Sequence, residues 1–331
     1  MKKNRYAAAV LLAGSLWGFM GFFRRSLDGM GVSAAGCIAV RCVFATLLFG
    51  VTILCTDRKA FRIKLRDLWI FFGSGVLSLF TFGVCYFKAM DYMSLSAAAI
   101  LLYTAPCFVI LMSAPLFDEK LGVRKLSAML LAFAGCCLTS GIASGAELSG
   151  IGLVFGLASG ICYALYSIFG RFAINRDYGT FTINFYSCLL AALAAVIFDG
   201  GSFAAPICAS LQDFAFAAAT GLVTCYLPYL LYTYGLSGLS NGKASIMASI
   251  EPVVATLVGV TVYSEKLSLA GGLGIVLVIS AIVLLNLRSK KNEETENLGA
   301  ISKEELEAIT DELEEVDELE GVDELESITN S

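Results

Sequence analysis

The chain has 331 residues, of which 57% are hydrophobic and 15% charged, and its mean hydropathy is +0.77. A water-soluble globule carries about 25% charged residues, so this composition excludes an ordinary soluble domain and points to a chain that crosses the membrane several times. The net charge of −5 averages two unlike parts: residues 292–331 hold 16 of the 28 acidic residues and one of the 23 basic ones, leaving 22 basic against 12 acidic residues elsewhere.

The first stretch, MKKNRYAAAVLLAG, has the charge and apolar run of a signal peptide, but the run is too long and further spans follow, so an uncleaved first span is expected. A bilayer core of about 30 Å needs roughly 20 apolar residues per helix. On that rule ten spans are expected, near 6–23, 34–55, 68–87, 92–113, 126–142, 150–170, 180–198, 212–234, 240–262 and 268–287, with tight connections around 88–92, 143–149 and 235–240. With a cytoplasmic N-terminus, 16 basic residues fall on cytoplasmic segments and four, Arg24, Arg25, Lys88 and Lys266, on the opposite side. That bias predicts that both termini are cytoplasmic.

Two halves of the chain echo each other at a separation of 146 residues without a gap. Gly14 matches Gly160, Phe23 matches Phe169, Arg25 matches Arg171, Cys42 matches Cys188, Gly75 matches Gly221, and Tyr86 matches Tyr232. Pro106 matches Pro252, and Glu119-Lys120-Leu121 matches Glu265-Lys266-Leu267. Five spans per copy is an odd number, so the second copy lies upside down in the membrane, the plan of secondary transporters with a site near the midplane. The expected fold is an all-α integral membrane protein with ten transmembrane helices as two inverted five-helix repeats. Its parts are residues 1–145, residues 146–291, and an acidic, partly disordered cytoplasmic tail over 292–331. The tail repeats DELEEV, DELEGV and DELESI from Asp311, Asp317 and Asp323; an amphipathic helix capped by Ser302 with Leu306, Ile309, Leu313 and Val316 on one face is the alternative, but a six-residue period makes such a stripe drift and Gly321 interrupts it.

Glu251 is the sharpest candidate for function. A carboxyl deep in a span is costly unless paired, hydrated or protonated, which suits a proton-coupling group; a hydrogen-bonded anchor between two helices is the alternative. Its repeat counterpart is Ala105, so the acid is asymmetric. Pro106 and Pro252 each lack an N–H and press on the carbonyls of Leu102 and Ala248. Two matched breaks mark a discontinuous-helix site, and a kink that shapes a cavity is expected in preference to real unwinding. Arg41, inside the second span, should face the cavity or pair with a carboxylate, Glu251 among them. Lys243 lies eight residues before Glu251, about 12 Å along a helix; it either meets an anionic substrate or snorkels to the interface. Trp17, Tyr86, Tyr103, Tyr163 and Tyr232, with Tyr166, Tyr226 and Tyr229, either line a wet cavity or belong to the interfacial aromatic belt. Lys88 and Asp91 suit a local ion pair, and the two Glu-Lys pairs suit helix caps or local ion pairs outside transport.

Eleven cysteines and no histidine give no metal knuckle, redox pair or imidazole relay. With no catalytic triad or phosphate loop either, the chain is not expected to be an enzyme or to hold a cofactor or metal.

Three stretches, GSLWGFMGFFRRSL, CYFKAMDYMSLSAAAILLYTAPCFVILMSAPLFDEKL and YLLYTYGLSGLSNGKASIMASIEPVVATLVGVTVYSEKL, resemble the EamA-type transporters of the drug/metabolite transporter superfamily. The paired Y-x(19)-P-x(12)-E-[KR]-L pattern carries the resemblance, which spans roughly residues 6–287. It implies ten helices, an inverted repeat and alternating-access movement of small metabolites, often export of amino acids or related compounds. Arg41, Lys243, Glu251 and Pro252 fall where such proteins often carry those types. Lys88 departs from the usual small or apolar residue, and the acidic tail lies outside the pattern.

The function expected is a secondary active transporter, an exporter of a small metabolite, in the plasma membrane. The alternatives are a uniporter or antiporter of an anionic metabolite, and a membrane sensor or scaffold acting through the acidic tail. Its partners are a small-molecule substrate and the lipid bilayer, with no nucleic acid. A second copy of the chain and a protein docked on the tail are left open.

Overall fold

The computed structural model describes residues 2–93, 95–139, 149–264 and 267–286. The acidic tail, most of the 143–149 connection and the Glu265-Lys266 pair lie outside the described residues.

The first half holds α1 (Lys2–Gly18), α2 (Met20–Gly29), α3 (Ala34–Thr56), α4 (Leu68–Phe72), a π-helical stretch Gly73–Phe80, α5 (Thr81–Met90), α6 (Leu95–Leu102), α7 (Ala105–Phe117) and α8 (Val123–Thr139). The second holds α9 (Gly150–Ile174), α10 (Thr180–Asp199), α11 (Ala204–Ile207), α12 (Leu211–Gly221), a π-helical stretch Leu222–Tyr226, α13 (Leu227–Leu236), α14 (Asn241–Ala248), α15 (Glu251–Tyr263) and α16 (Leu269–Asn286). Serines start several of them. The Ser33 hydroxyl accepts from the Gly36 N–H at 2.8 Å, and Ser210 and Ser240 accept likewise at α12 and α14, satisfying N–H groups that lack helical partners.

The element boundaries repeat at the same 146-residue separation as the sequence. α5, α6 and α7 begin and end in register with α13, α14 and α15, and α3 and α8 begin in register with α10 and α16. Asp118 and Ser264, the residues after α7 and α15, are both left-handed, at φ 52° and 55°. The copies differ at their first spans: α1 gives way to α2 at Phe19, whereas α9 runs unbroken.

Nine helical stretches among the described residues are long and apolar enough to cross a membrane. The fifth expected span, 126–142, corresponds to α8 over Val123–Thr139, with residues 140–142 outside the described residues. The lipid side is apolar: Leu47, Val51 and Leu54 of α3 and Leu273, Val276, Ile279 and Val283 of α16 are exposed hydrophobic stripes. An exposed apolar face of this kind belongs against hydrocarbon, where the helix satisfies its own backbone groups.

The halves interlock. α1 packs against α13, α14 and α15 of the other copy, while α9 packs against α5, α6 and α7. α3 and α10 face each other through a buried centre that includes Ala39, Cys42, Ala45 and Phe49 on one side and Cys188, Ala191 and Ala195 on the other.

Candidate functional site

Both prolines stand at the second position of a helix, Pro106 in α7 and Pro252 in α15. At each proline the chain bends by a break: α6 and α14 end, and two-residue turns, Tyr103-Thr104 and Ser249-Ile250, precede the next helix. The reason is local. A proline cannot supply the N–H that the carbonyl four residues back requires. The chain closes the gap with tight three-residue bonds: Thr104 N–H to Leu101 O at 3.2 Å, Ser249 N–H to Ile246 O at 3.1 Å, and Ile250 N–H to Met247 O at 3.3 Å. The backbone before each proline keeps right-handed angles, so each break is a tightened turn and the stretched, unwound form is absent there.

A glycine of the crossing helix covers each break. A Cβ at Gly14 would sit 2.8 Å from Ala248 O, and a Cβ at Gly160 would sit 2.8 Å from Leu101 O. Those two glycines are themselves repeat counterparts, so the close approach of α1 to one break and of α9 to the other is a symmetric feature with a simple cause.

The two breaks open on one recess. Its space free of atoms, counted together with the part open to solvent, is about 300 Å³, and it is lined by Leu102, Tyr103, Ala105 and Pro106 from the first break, Ser245, Ala248, Ser249 and Glu251 from the second, and Tyr163 from α9. Glu251 occupies the first turn of α15, where unpartnered N–H groups make a favourable setting for an acidic side chain. Tyr163 donates its hydroxyl to Glu251 Oε2 at 3.3 Å. Ala105, the counterpart of Glu251, lies in the same lining, so the asymmetry between the copies falls inside the recess itself.

Tyr163 also walls a second recess of about 280 Å³, with Trp17, Ser78, Leu79, Phe82, Tyr166, Ser167, Tyr229 and Tyr232. Its rings pack edge to face: Trp17 lies 5.2 Å from Tyr229 and 6.2 Å from Tyr163 between centroids, and Phe82 lies 5.3 Å from Tyr163. Buried hydroxyls have partners, as such groups require. Tyr232 pairs with Ser167 at 2.8 Å, and Tyr166 donates to Asn184 Oδ1 at 2.6 Å.

Of the residues singled out in the sequence, Glu251, Pro106, Tyr103, Tyr163, Tyr166, Tyr229, Trp17 and Tyr232 line these two recesses, Pro252 directly follows Glu251, and Tyr226 lines neither and pairs with Thr52 at 2.9 Å. Tyr86 does not line either one; it stacks on Phe82, with ring centroids 6.2 Å apart. Lys243 lies in the first turn of α14 and lines neither. Arg41 is buried, and instead of a carboxylate it takes Thr224 of the second π-helical stretch: Nε donates to Thr224 Oγ1 at 3.0 Å and Nη2 to Thr224 O at 2.8 Å. Ser245 and Ser249 were not legible as site residues, since small hydroxyl residues are common in packed membrane helices. Their one signal is the four-residue spacing on the helix that leads to Glu251.

Glu119 takes the expected role of a helix cap and ion-pair partner, with the cap placed on a helix of the other copy. Its carboxylate accepts from the N–H groups of Asn241 at 2.6 Å and Gly242 at 3.3 Å, capping α14 of the other copy, and it pairs with Lys125 instead of Lys120. Arg171 holds the same end, through Asn241 Oδ1 at 2.9 Å and the Leu239 carbonyl. Lys88 and Asp91 form the expected exposed ion pair at 2.9 Å. Among the described residues there is no group of three or more His, Cys, Asp or Glu that could hold a metal ion.

A multi-span helical fold with two discontinuous helices facing one lined recess defines a membrane transporter. The chain belongs to the EamA-like transporter family, whose model matches residues 4–141 and again residues 150–287. It is similar to an uncharacterized transporter of Archaeoglobus fulgidus, 27% identical over 84% of this chain and 94% of that one. It is also similar to the uncharacterized transporter YxxF of Bacillus subtilis, 26% identical over 87% of this chain and 91% of that one. The uncharacterized inner membrane transporter YicL of Salmonella typhimurium is 23% identical over 85% of this chain and 95% of its own. A solved crystal structure superposes with a TM-score of 0.75 over 88% of this chain and 99% of its own at 18% identity, a likeness of fold.

Proposed function

We propose that this membrane transporter exports a small metabolite, an amino acid or related compound, by alternating access, with Glu251 as the group that couples flux to protons. The observation that carries the reading is the convergence of both helix breaks and a single carboxyl on one recess. Glu251 takes up a proton from one side and releases it to the other as the two interlocked halves, residues 1–145 and 146–291, rock about the recess. The chain works in the plasma membrane with both termini cytoplasmic, which the loop charge supports.

The test is flux in proteoliposomes containing the full chain, using a panel of labelled amines and amino acids. In this reading an imposed pH gradient drives accumulation, Glu251→Gln abolishes the gradient-driven part, and exchange of labelled for unlabelled substrate persists. Gradient-driven accumulation by Glu251→Gln at the parental rate would end the coupling role.

A further inference from the structure

Resting on the reading of this recess as the substrate site, we infer that it binds the cationic nitrogen of its substrate, and that within amino acids and related compounds the class transported is the small amines and quaternary ammoniums with an apolar body, in preference to the amino acids themselves. Three observations carry this. First, among the described residues Glu251 is the sole Asp, Glu, Lys or Arg in the lining of either recess. Second, the walls are ring-rich: Trp17, Phe82, Tyr163, Tyr166, Tyr229 and Tyr232 surround one recess, and Tyr163 carries that wall into the one that holds Glu251. The negative faces of such rings attract a cation and repel an anion. Third, the two buried or half-buried basic groups that an anion would call on lie elsewhere. Arg41 spends Nε and Nη2 on Thr224, and Lys243 sits at the start of α14 outside both linings.

The polar atoms that remain agree with this chemistry. Ser245, Ser249, Tyr103 and Tyr163 line the same recess as the carboxyl. Each accepts a hydrogen bond as readily as it donates one, so an ammonium N–H finds acceptors at Glu251 and beside it. A carboxylate entering the same space meets Glu251 with no basic side chain in the lining to offset it, and burying an uncompensated charge is costly. The expected order of affinity is therefore cation first, then zwitterion and uncharged isostere, with the anion last.

Trp17 is the natural reporter, because the chain has two tryptophans and Trp69 is half-exposed and outside both linings. The experiment uses the full chain in lipid nanodiscs with Trp69→Phe, so that emission comes from Trp17 alone. The four probes share one ring: benzyltrimethylammonium, its uncharged isostere neopentylbenzene, phenylalanine as the zwitterion, and benzoate as the anion. Benzyltrimethylammonium should change Trp17 emission saturably, with neopentylbenzene and phenylalanine weaker by about tenfold or more and benzoate without effect, the size expected for a charge-assisted contact plus ring faces. Glu251→Gln should weaken the cation by about tenfold or more, while Tyr163→Phe, which keeps the ring, should change it by less than about threefold. Thermal unfolding of each variant verifies that it is folded, and Tyr163→Phe keeps the assignment testable should Glu251→Gln fail to assemble.

Benzoate or neopentylbenzene binding as tightly as the cation overturns the cation assignment and leaves the recess standing as a substrate site. Cation binding unchanged in Glu251→Gln also overturns it. Absence of any saturable change with all four probes overturns both the assignment and the reading beneath it.

Discussion

Glu251 is held where two opposing effects meet. A helix N-terminus welcomes negative charge, and a membrane interior penalises it. The Tyr163 hydroxyl at 3.3 Å is its one hydrogen-bond partner in the lining shown here. Tyr163→Phe removes a bond worth about 0.5–1.5 kcal/mol net, so its effect on unfolding should be small, and in a double-mutant cycle with Glu251→Gln the two losses should fail to add. Additive losses would mean that the 3.3 Å contact carries no energy. Trp17 is a different case. It is 6% exposed and touches three tyrosines. Trp17→Ala leaves a cavity and should lower stability by about 3–5 kcal/mol, whereas Trp17→Phe keeps an aromatic face and should lose much less. Melting temperatures of the purified variants decide between these outcomes.

Between helices, the determining contacts are backbone against backbone. Gly14 and Gly160 let α1 and α9 approach the two breaks to within 2.8 Å of a carbonyl oxygen from a would-be Cβ. That neighbour is backbone and cannot swing aside, so Gly14→Ala and Gly160→Ala should each cost about 1–3 kcal/mol by overpacking and depress flux together. Gly21→Ala is the control, since nothing lies within 4 Å of its would-be Cβ; it should leave the melting temperature unchanged. The α14 N-terminus depends on Glu119 from the other copy. Glu119→Ala removes both a cap and the partner of Lys125, whose side chain is 14% exposed, and should cost at least about 2 kcal/mol. Faster hydrogen exchange at the Asn241 and Gly242 amides, with the amides of α10 unaffected, is the expected signature.

For the molecule as a membrane body, the loop charges make a prediction about sidedness that two cysteines can report. Cys55 lies at the end of the second span, next to the basic loop at Arg58 and Lys59, and Cys208 lies between the seventh and eighth spans; both are exposed. With cytoplasmic termini, a membrane-impermeant maleimide should label Cys208 on intact cells and Cys55 only after permeabilisation, with Cys208→Ser and Cys55→Ser assigning each signal. The reverse pattern would invert the topology. The acidic tail is expected to be separable from transport, so deletion of residues 292–331 should leave flux in proteoliposomes unchanged. Loss of flux on deletion would shift the function towards the tail.

The 146-residue echo, the paired prolines and the lone acid beside one of them were all readable along the chain, because hydropathy, repeats and helix breaking are local properties. Those same properties set the all-α fold and the location of the breaks. They did not set how sharp the breaks are, since a kink and a tightened turn share one sequence signal and differ by what packs on them, here Gly14 and Gly160. Nor did they give the partners of the charged side chains. Arg41 meets Thr224 across 183 residues, and Glu119 meets Asn241 across 122. A charge in a span announces that it needs a partner, but only the packing of one half against the other chooses which group comes within about 3 Å of it. Glu251 shows both sides of this: its asymmetry is written in the chain, while its aromatic neighbour Tyr163 arrives on a helix from elsewhere in the fold.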